Sequence, residues 1–106
     1  MELIATIRHE GSLLEVFTAT YATNGRLAVV LREDDGMPYA KVSVNLPEQT
    51  LAADEIVISH NLPIPVLREL LDAGVLEETG RGATFGYTGG PICRVVEWPA
   101  ITKLTR

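Results

Sequence analysis

At 106 residues, of which 46% are hydrophobic and 22% charged, the chain has the length and composition of one soluble globular domain. Its net charge of −5, with acids and bases mixed along the sequence, argues against strong non-specific binding to nucleic acid or to anionic membrane surfaces. A single cysteine excludes an internal disulfide framework, and the apolar runs fall far short of the ~20 residues that a membrane span needs.

The first segment, MELIATIRHEG, carries an early Glu2 and lacks the long apolar core of a secretory signal, so we expect a cytoplasmic protein. Leu13 to Tyr21 is rich in β-branched and aromatic residues and predicts a strand. Asn24-Gly25 then favours a tight hairpin turn. Leu27 to Leu31 is a continuous apolar run of strand length, which is typical of a strand covered on both faces.

The next predicted strand has a strict alternation of side chains. Asp34-Asp35-Gly36 marks the turn that precedes it, and Pro47 ends it because proline cannot donate a ladder hydrogen bond. Within Tyr39 to Leu46, the alternation assigns one set of residues to the core: Ala40, Val42, Val44 and Leu46. It assigns the other set to a polar, solvent-facing surface: Tyr39, Lys41, Ser43 and Asn45.

One helix follows a polar loop and a short strand, Glu55 to Ile58. Pro65 suits the first turn of a helix, where a missing N–H has little effect. Leu67, Leu70 and Leu71 recur at helical spacing and form an apolar stripe. Gly74 stands where a left-handed residue ends a helix, with Val75 placed to pack back on Leu70.

The segment after the helix, Gly80 to Pro91, is rich in glycine and predicts a connector, and Ile92 to Val96 then predicts a last strand. Together these elements predict an α+β fold, with an antiparallel meander of about five strands and one short helix packed on one face. We find no linker and no repeat, so residues 1–106 form a single predicted domain.

Two side chains are candidates for catalysis, His60 and Cys93. A cysteine nucleophile needs a nearby base and a lowered pKa, and Cys93 lies in an alternating strand in which it reads more simply as a small core residue. His60, just before the helix, needs a nucleophile within hydrogen-bond reach to act as a base. Because His and Cys do not cluster and the acids lack the periodicity of a calcium loop, we expect no metal and no cofactor.

Binding to another protein is the function that the residues favour. Arginine and aromatic side chains dominate binding hot spots, and the glycine-rich segment carries Arg81, Phe85 and Tyr87. The acidic turn Glu33-Asp34-Asp35 and the polar sheet face with Tyr39 and Lys41 are further predicted contact surfaces.

Several short motifs resemble a family of small uncharacterised bacterial proteins, a domain of unknown function carried on plasmids, phages and integrative elements. The motifs are Pro38-Tyr39-Ala40, Val44-Asn45-Leu46-Pro47, Leu51-Ala52, Leu70 to Leu76 and Cys93-Arg94-Val95. The resemblance implies an accessory protein of a mobile element, some of which oppose host defence systems, and it supplies no catalytic residues.

The first hypothesis is therefore a non-enzymatic interaction module with an unidentified protein partner, in which the module blocks or modulates a host defence or regulatory complex. A small enzyme that uses His60 or Cys93 is the first alternative. Weak nucleic-acid binding through the sheet, by Tyr21, Tyr39, Lys41 and Arg94, is the second. Dimerisation through a sheet edge or face is compatible with each of them.

Overall fold

A computed structural model of the protein describes residues 1–83 and 90–96, which form eight strands and one helix. The elements are β1 (Glu2–His9), β2 (Ser12–Thr20), β3 (Leu27–Glu33), β4 (Pro38–Lys41), β5 (Ser43–Val44), β6 (Glu55–Ile58), α1 (Ile64–Asp72), β7 (Leu76–Gly82) and β8 (Pro91–Val95). Sheet 1 has the order β1-β2-β3-β4, sheet 2 has the order β5-β6-β8-β7, and neighbouring strands in both are antiparallel.

The predicted α+β class with one short helix is confirmed, but the prediction of one sheet of about five strands is wrong, since two four-stranded sheets form. Two of the strands, β1 and β7, were not predicted. The sequence of β7, LEETGRG, has little intrinsic strand preference, and it is held extended by pairing with β8. Tertiary pairing therefore overrides local preference in this segment.

The predicted strand Tyr39 to Leu46 divides at Val42, where the chain passes from sheet 1 to sheet 2. The N–H of Val42 donates to the carbonyl of Val29 in sheet 1 (2.9 Å), while its carbonyl accepts from the N–H of Ser59 beside sheet 2 (2.8 Å). Val42 is fully buried. One residue thus joins the two sheets through both of its backbone groups.

Ser43 was predicted to face solvent, and this prediction is wrong. It is 5% exposed, and its hydroxyl accepts a hydrogen bond from the N–H of Val29 (3.0 Å) and lies 2.8 Å from the hydroxyl of Tyr21. Burial of a polar group is costly unless it is hydrogen-bonded, and here the serine satisfies a backbone donor of β3. Tyr39 and Lys41 are exposed, as predicted.

The main core lies between the two sheets and α1. Val66 and Leu70 of the helix are fully buried in it, and Leu67 and Leu71 are partly buried, so the predicted apolar stripe is confirmed. The helix ends as predicted. Gly74 has φ +76°, its N–H donates to Leu71, and the N–H of Val75 donates to Leu70 (3.0 Å). This is the hydrogen-bond pattern of a Schellman cap.

A second, smaller group of apolar residues covers the opposite face of sheet 2. We name it the sheet 2 cluster, and its buried members are Leu46, Val57, Ala83 and Ile92. Gly90 holds the returning chain close to this sheet, since a Cβ at this position would lie 2.6 Å from the carbonyl oxygen of Ile58. Both faces of sheet 2 therefore carry buried side chains.

Candidate protein-interaction surface

The face of sheet 1 that points away from the main core carries an apolar row, defined by Leu3 (β1), Phe17 (β2) and Val30 (β3). The register of the strands places these three side by side, with Lys41 of β4 at the end of the row. Leu3 is 49% exposed, and Leu13, farther along the same face, is 40% exposed. Alternation puts the main-core residues of these strands on the other face, so the row lies at the protein surface.

Three basic residues, the outer-face cations, lie on the same face as the row: Arg8, Arg32 and Lys41. Glu15 is the acidic residue on this face, directly beside Arg32 in the register. The local charge is thus three positive minus one negative, or +2, on a chain whose net charge is −5. Within residues 1–83 and 90–96, none of the outer-face cations forms an ion pair.

Arg32 covers the ring of Phe17. Its guanidinium carbon lies 5.6 Å from the ring centroid, which is a cation–π arrangement. Such a contact holds both side chains in place, and it occupies a face of the ring that would otherwise be open to a ligand. Phe17 is half-buried as a result of this contact and of its neighbours in the row.

The hairpin between β3 and β4 brings five of the predicted contact residues together: Glu33, Asp34, Asp35, Tyr39 and Lys41. The turn is built by its own polar groups, because the Asp35 carboxylate accepts from the N–H of Met37 (3.0 Å) and the N–H of Gly36 donates to Glu33 (2.8 Å). Gly36 has φ +90°, a conformation that favours glycine. Asp35 therefore has a structural role in this turn as well as an exposed position.

Arg81 lies in sheet 2 and so is not part of this hairpin. Its guanidinium forms an ion pair with Glu55, which engages the side chain within the protein itself. The other two predicted contact residues of the glycine-rich segment, Phe85 and Tyr87, lie outside the described residues. The structure thus places Arg81 on a different sheet from the predicted contact residues of the hairpin.

The outward-facing charges of sheet 2 are paired with one another. Glu55 accepts from the N–H of Ala52 (2.8 Å) and pairs with Arg81; these two contacts, in that order, lower the pKa of the Glu55 carboxyl, while partial burial opposes them. Arg94 of β8 stands next to Glu77 of β7 and forms an ion pair with it.

A histidine–carboxylate pair joins β1 to α1, and no local sequence pattern predicts it because its members are 60 residues apart. His9 Nδ1 is hydrogen-bonded to Glu69, and Nε2 lies 3.7 Å from Glu10. The ring of Tyr39 approaches His9 edge-on, with centroids 6.4 Å apart. In the described part of the chain no hydroxyl or thiol is hydrogen-bonded to this histidine, so the pair reads as a structural link.

The two catalytic candidates lie in different environments. Cys93 is fully buried, and burial, with a smaller effect of Glu78, raises the pKa of its thiol to about 11. A reactive cysteine needs the opposite shift, towards the thiolate. His60 is exposed in the turn before α1.

A metal site would need several His, Cys, Asp or Glu side chains in one place among residues 1–83 and 90–96. These residues contain no group of three or more His, Cys, Asp or Glu side chains that could hold a metal ion. None of their helices is long and apolar enough to cross a membrane.

Comparisons with protein families, with curated proteins and with solved structures find no match for this chain. The resemblance to a family of mobile-element proteins therefore stays a prediction, and the function has to be argued from the surface itself.

Proposed function

We propose that this protein is a non-enzymatic interaction module that binds a larger protein through the outer face of sheet 1 and the adjoining β3–β4 hairpin. The observation that carries the proposal is the apolar row, which lies on a face where Leu3 and Leu13 keep 40% or more of their surface exposed. Contiguous exposed apolar residues with a polar rim mark interaction sites in soluble proteins.

The hairpin extends this surface beyond the sheet. Met37 is 58% exposed and Tyr39 is 40% exposed, and both follow the acidic turn. Aromatic residues and methionine are enriched in the centres of protein interfaces, and aromatic rings bury a large area there with few rotatable bonds. The proposed contact surface therefore combines the apolar row, the outer-face cations and the exposed side chains of Met37 and Tyr39.

The four residues of the nucleic-acid alternative lie in different parts of the structure. The Tyr21 hydroxyl is bonded to Ser43, and Arg94 is paired with Glu77 on the other sheet. Only Tyr39 and Lys41 share a strand. A nucleic-acid site needs cations that follow a backbone and aromatic rings open for stacking, so this separation favours the protein-binding function.

The test is affinity capture from bacterial lysate with the full-length protein and two matched variants. The first variant, Leu3→Ser with Leu13→Ser, makes the outer face of sheet 1 polar. The second, Ile64→Ser, removes an apolar side chain that is 70% exposed at the start of α1, away from this face. We expect a stoichiometric partner with the parent protein and with Ile64→Ser, and its loss with the double variant.

Equal capture by all three proteins would show that the outer face is not the contact surface. Circular dichroism and thermal unfolding of each variant establish that it is folded. The expectation that the partner belongs to a host defence or regulatory complex rests on the sequence resemblance alone, and the identity of the captured protein tests it directly.

A further inference from the structure

The outer face of sheet 1 differs in charge from the rest of the molecule, and this difference bears on what it binds. It carries a local charge of +2 on a chain of net charge −5, and its cations have no carboxylate partner among residues 1–83 and 90–96. We infer that this face docks an acidic amphipathic helix of a partner protein. The inference rests on the proposed function and adds the chemistry of the partner.

The charges of this face favour an acidic partner. Interfaces set a positive patch against a negative one, which speeds association and excludes partners of the wrong charge. Arg8 and Lys41 are on the two edge strands of sheet 1, at opposite ends of the face, with Arg32 between them. A partner that satisfies all three must carry acidic groups along both sides of its apolar stripe.

The size and shape of this surface also suit a helix. The row together with Lys41 at its end crosses four strands, and since neighbouring strands lie about 4.8 Å apart, this line of side chains is roughly 14 Å long. Arg8 lies two rows farther along the strands, which puts it roughly 20 Å from Lys41. A helix rises 1.5 Å per residue, so a helix of about 14 residues covers this distance.

The layers of the fold favour a helix on this face. A sheet face with apolar side chains is normally covered by a helix or by another sheet. The inner face of sheet 1 follows this rule, because Leu14 and Leu31 pack in one cluster with Val66 and Leu70 of α1. The outer face also carries apolar side chains that a helix can cover. The positive charges beside them favour an acidic helix.

Two other occupants fit less well. A second copy meeting this one through the same face would bring the outer-face cations of both copies together, and like charges in an interface are unfavourable. A nucleic acid would stack its bases on exposed aromatic rings, but the ring of Phe17 is already covered by Arg32. The carboxylate of Glu15 in the middle of the face also opposes a phosphate backbone.

The test is a fluorescence anisotropy titration of the full-length protein with a labelled helical peptide of about 14 residues. The peptide carries leucine at i, i+3, i+4 and i+7 with glutamate on both flanks. Two control peptides are used: one has lysine in place of every glutamate, and the other has the same composition with the stripe scrambled. A single-stranded oligonucleotide of mixed sequence is the nucleic-acid arm.

Two protein variants localise the binding. Arg8→Glu with Lys41→Glu reverses two outer-face cations, and Arg68→Glu reverses an exposed charge on α1 as the matched control. We expect saturable binding of the acidic striped peptide only, about tenfold weaker or more with the double reversal and unchanged with Arg68→Glu. Sedimentation of the parent protein at the same concentrations should give a monomer.

Equal binding of the scrambled or lysine peptide, tighter binding of the oligonucleotide, or no binding of the acidic peptide would each overturn the inference. A dimer that Leu3→Asp dissociates would overturn it too, and would assign the face to a second copy. If the lysate capture still depends on Leu3 and Leu13 while the acidic peptide fails to bind, the proposed function stands and only the chemistry of the partner is wrong.

Discussion

The outer faces of the two sheets differ in whether the chain covers their apolar side chains. On sheet 2, Val57 and Ile92 are buried by the chain itself, with Leu46, Leu51 and Ala83 packed against them. On sheet 1, the apolar row stays at the surface, and Leu3 keeps 49% of its area exposed.

The charges follow the same division. On sheet 2, Glu55 pairs with Arg81 and Glu77 with Arg94. The outer-face cations of sheet 1 form no ion pair in the described part of the chain. Arg32 makes a cation–π contact with Phe17 instead. A face whose polar and apolar groups are matched internally contributes to folding, whereas a face with unmatched groups of both kinds is suited to binding.

The largest expected effect separates the apolar residues of the two faces. Ile92 is 1% exposed, so Ile92→Ala leaves a cavity in the sheet 2 cluster, and we expect a loss of about 3 kcal/mol in the free energy of unfolding. Leu3→Ala removes an exposed side chain and should cost less than about 1 kcal/mol. Urea unfolding measures both, and equal losses would contradict the distinction between the two faces.

The next effect concerns the close approach that allows sheet 2 to be covered. Because a Cβ at Gly90 would lie 2.6 Å from the Ile58 carbonyl oxygen, Gly90→Ala forces backbone to move and should cost about 2 kcal/mol. The matched control is Gly82→Ala, where the nearest atom, the Gly90 oxygen, lies at an ordinary 3.8 Å. Thermal unfolding of the two variants compares them, and an equally small change in both would show that the approach at Gly90 relaxes freely.

A smaller loss is expected where the two sheets meet. Ser43→Ala leaves the N–H of Val29 without its acceptor in a buried site and should cost about 1–2 kcal/mol. Tyr21→Phe removes only the other hydroxyl and should cost less. Ser12→Ala, at an exposed position of β2, is the control. If Ser43→Ala were as stable as Ser12→Ala, the serine would not be a necessary part of the junction.

The features that the sequence predicted correctly are those that depend on neighbouring residues. The helix and its cap are determined by Leu70, Gly74 and Val75, which lie within one and a half turns. The division at Val42 depends on hydrogen bonds to Val29 and Ser59, which are distant in sequence. The alternation of residues 39–46 is the same whether the strand is continuous or divided, so the pattern carries no information on this point.

The apolar row was missed for a related reason. The apolar run Leu27 to Leu31 predicts a strand covered on both faces, but Val30 is only half-buried and belongs to the exposed row. The row becomes visible only when β1 brings Leu3 beside Phe17, and β1 was not predicted. Lys41 and Tyr39 could be assigned to the surface because the alternation of their own strand shows it.

The smallest expected effect concerns the charges of the two faces, and it depends on pH. The pKa of Glu55 is lower in the folded protein than in the unfolded chain, so the unfolded state binds the proton more readily. The stabilisation by this carboxylate is therefore present above the unfolded pKa and is lost as the pH falls through the folded pKa. Because the partner Arg81 is largely exposed, Glu55→Gln should lower stability at neutral pH by less than about 1 kcal/mol.

The difference between Glu55→Gln and the parent protein should close in acid, once Glu55 is protonated in both the folded and unfolded states. Glu15→Gln, on the outer face of sheet 1, is the matched control, since Glu15 forms no ion pair with another described residue. Urea unfolding from pH 7 to pH 3 should show a closing gap for Glu55→Gln and no stability loss at pH 7 for Glu15→Gln. A gap of the same size for both variants would mean that the paired face of sheet 2 is no better matched than the open face of sheet 1, and the comparison would then rest on the apolar residues alone.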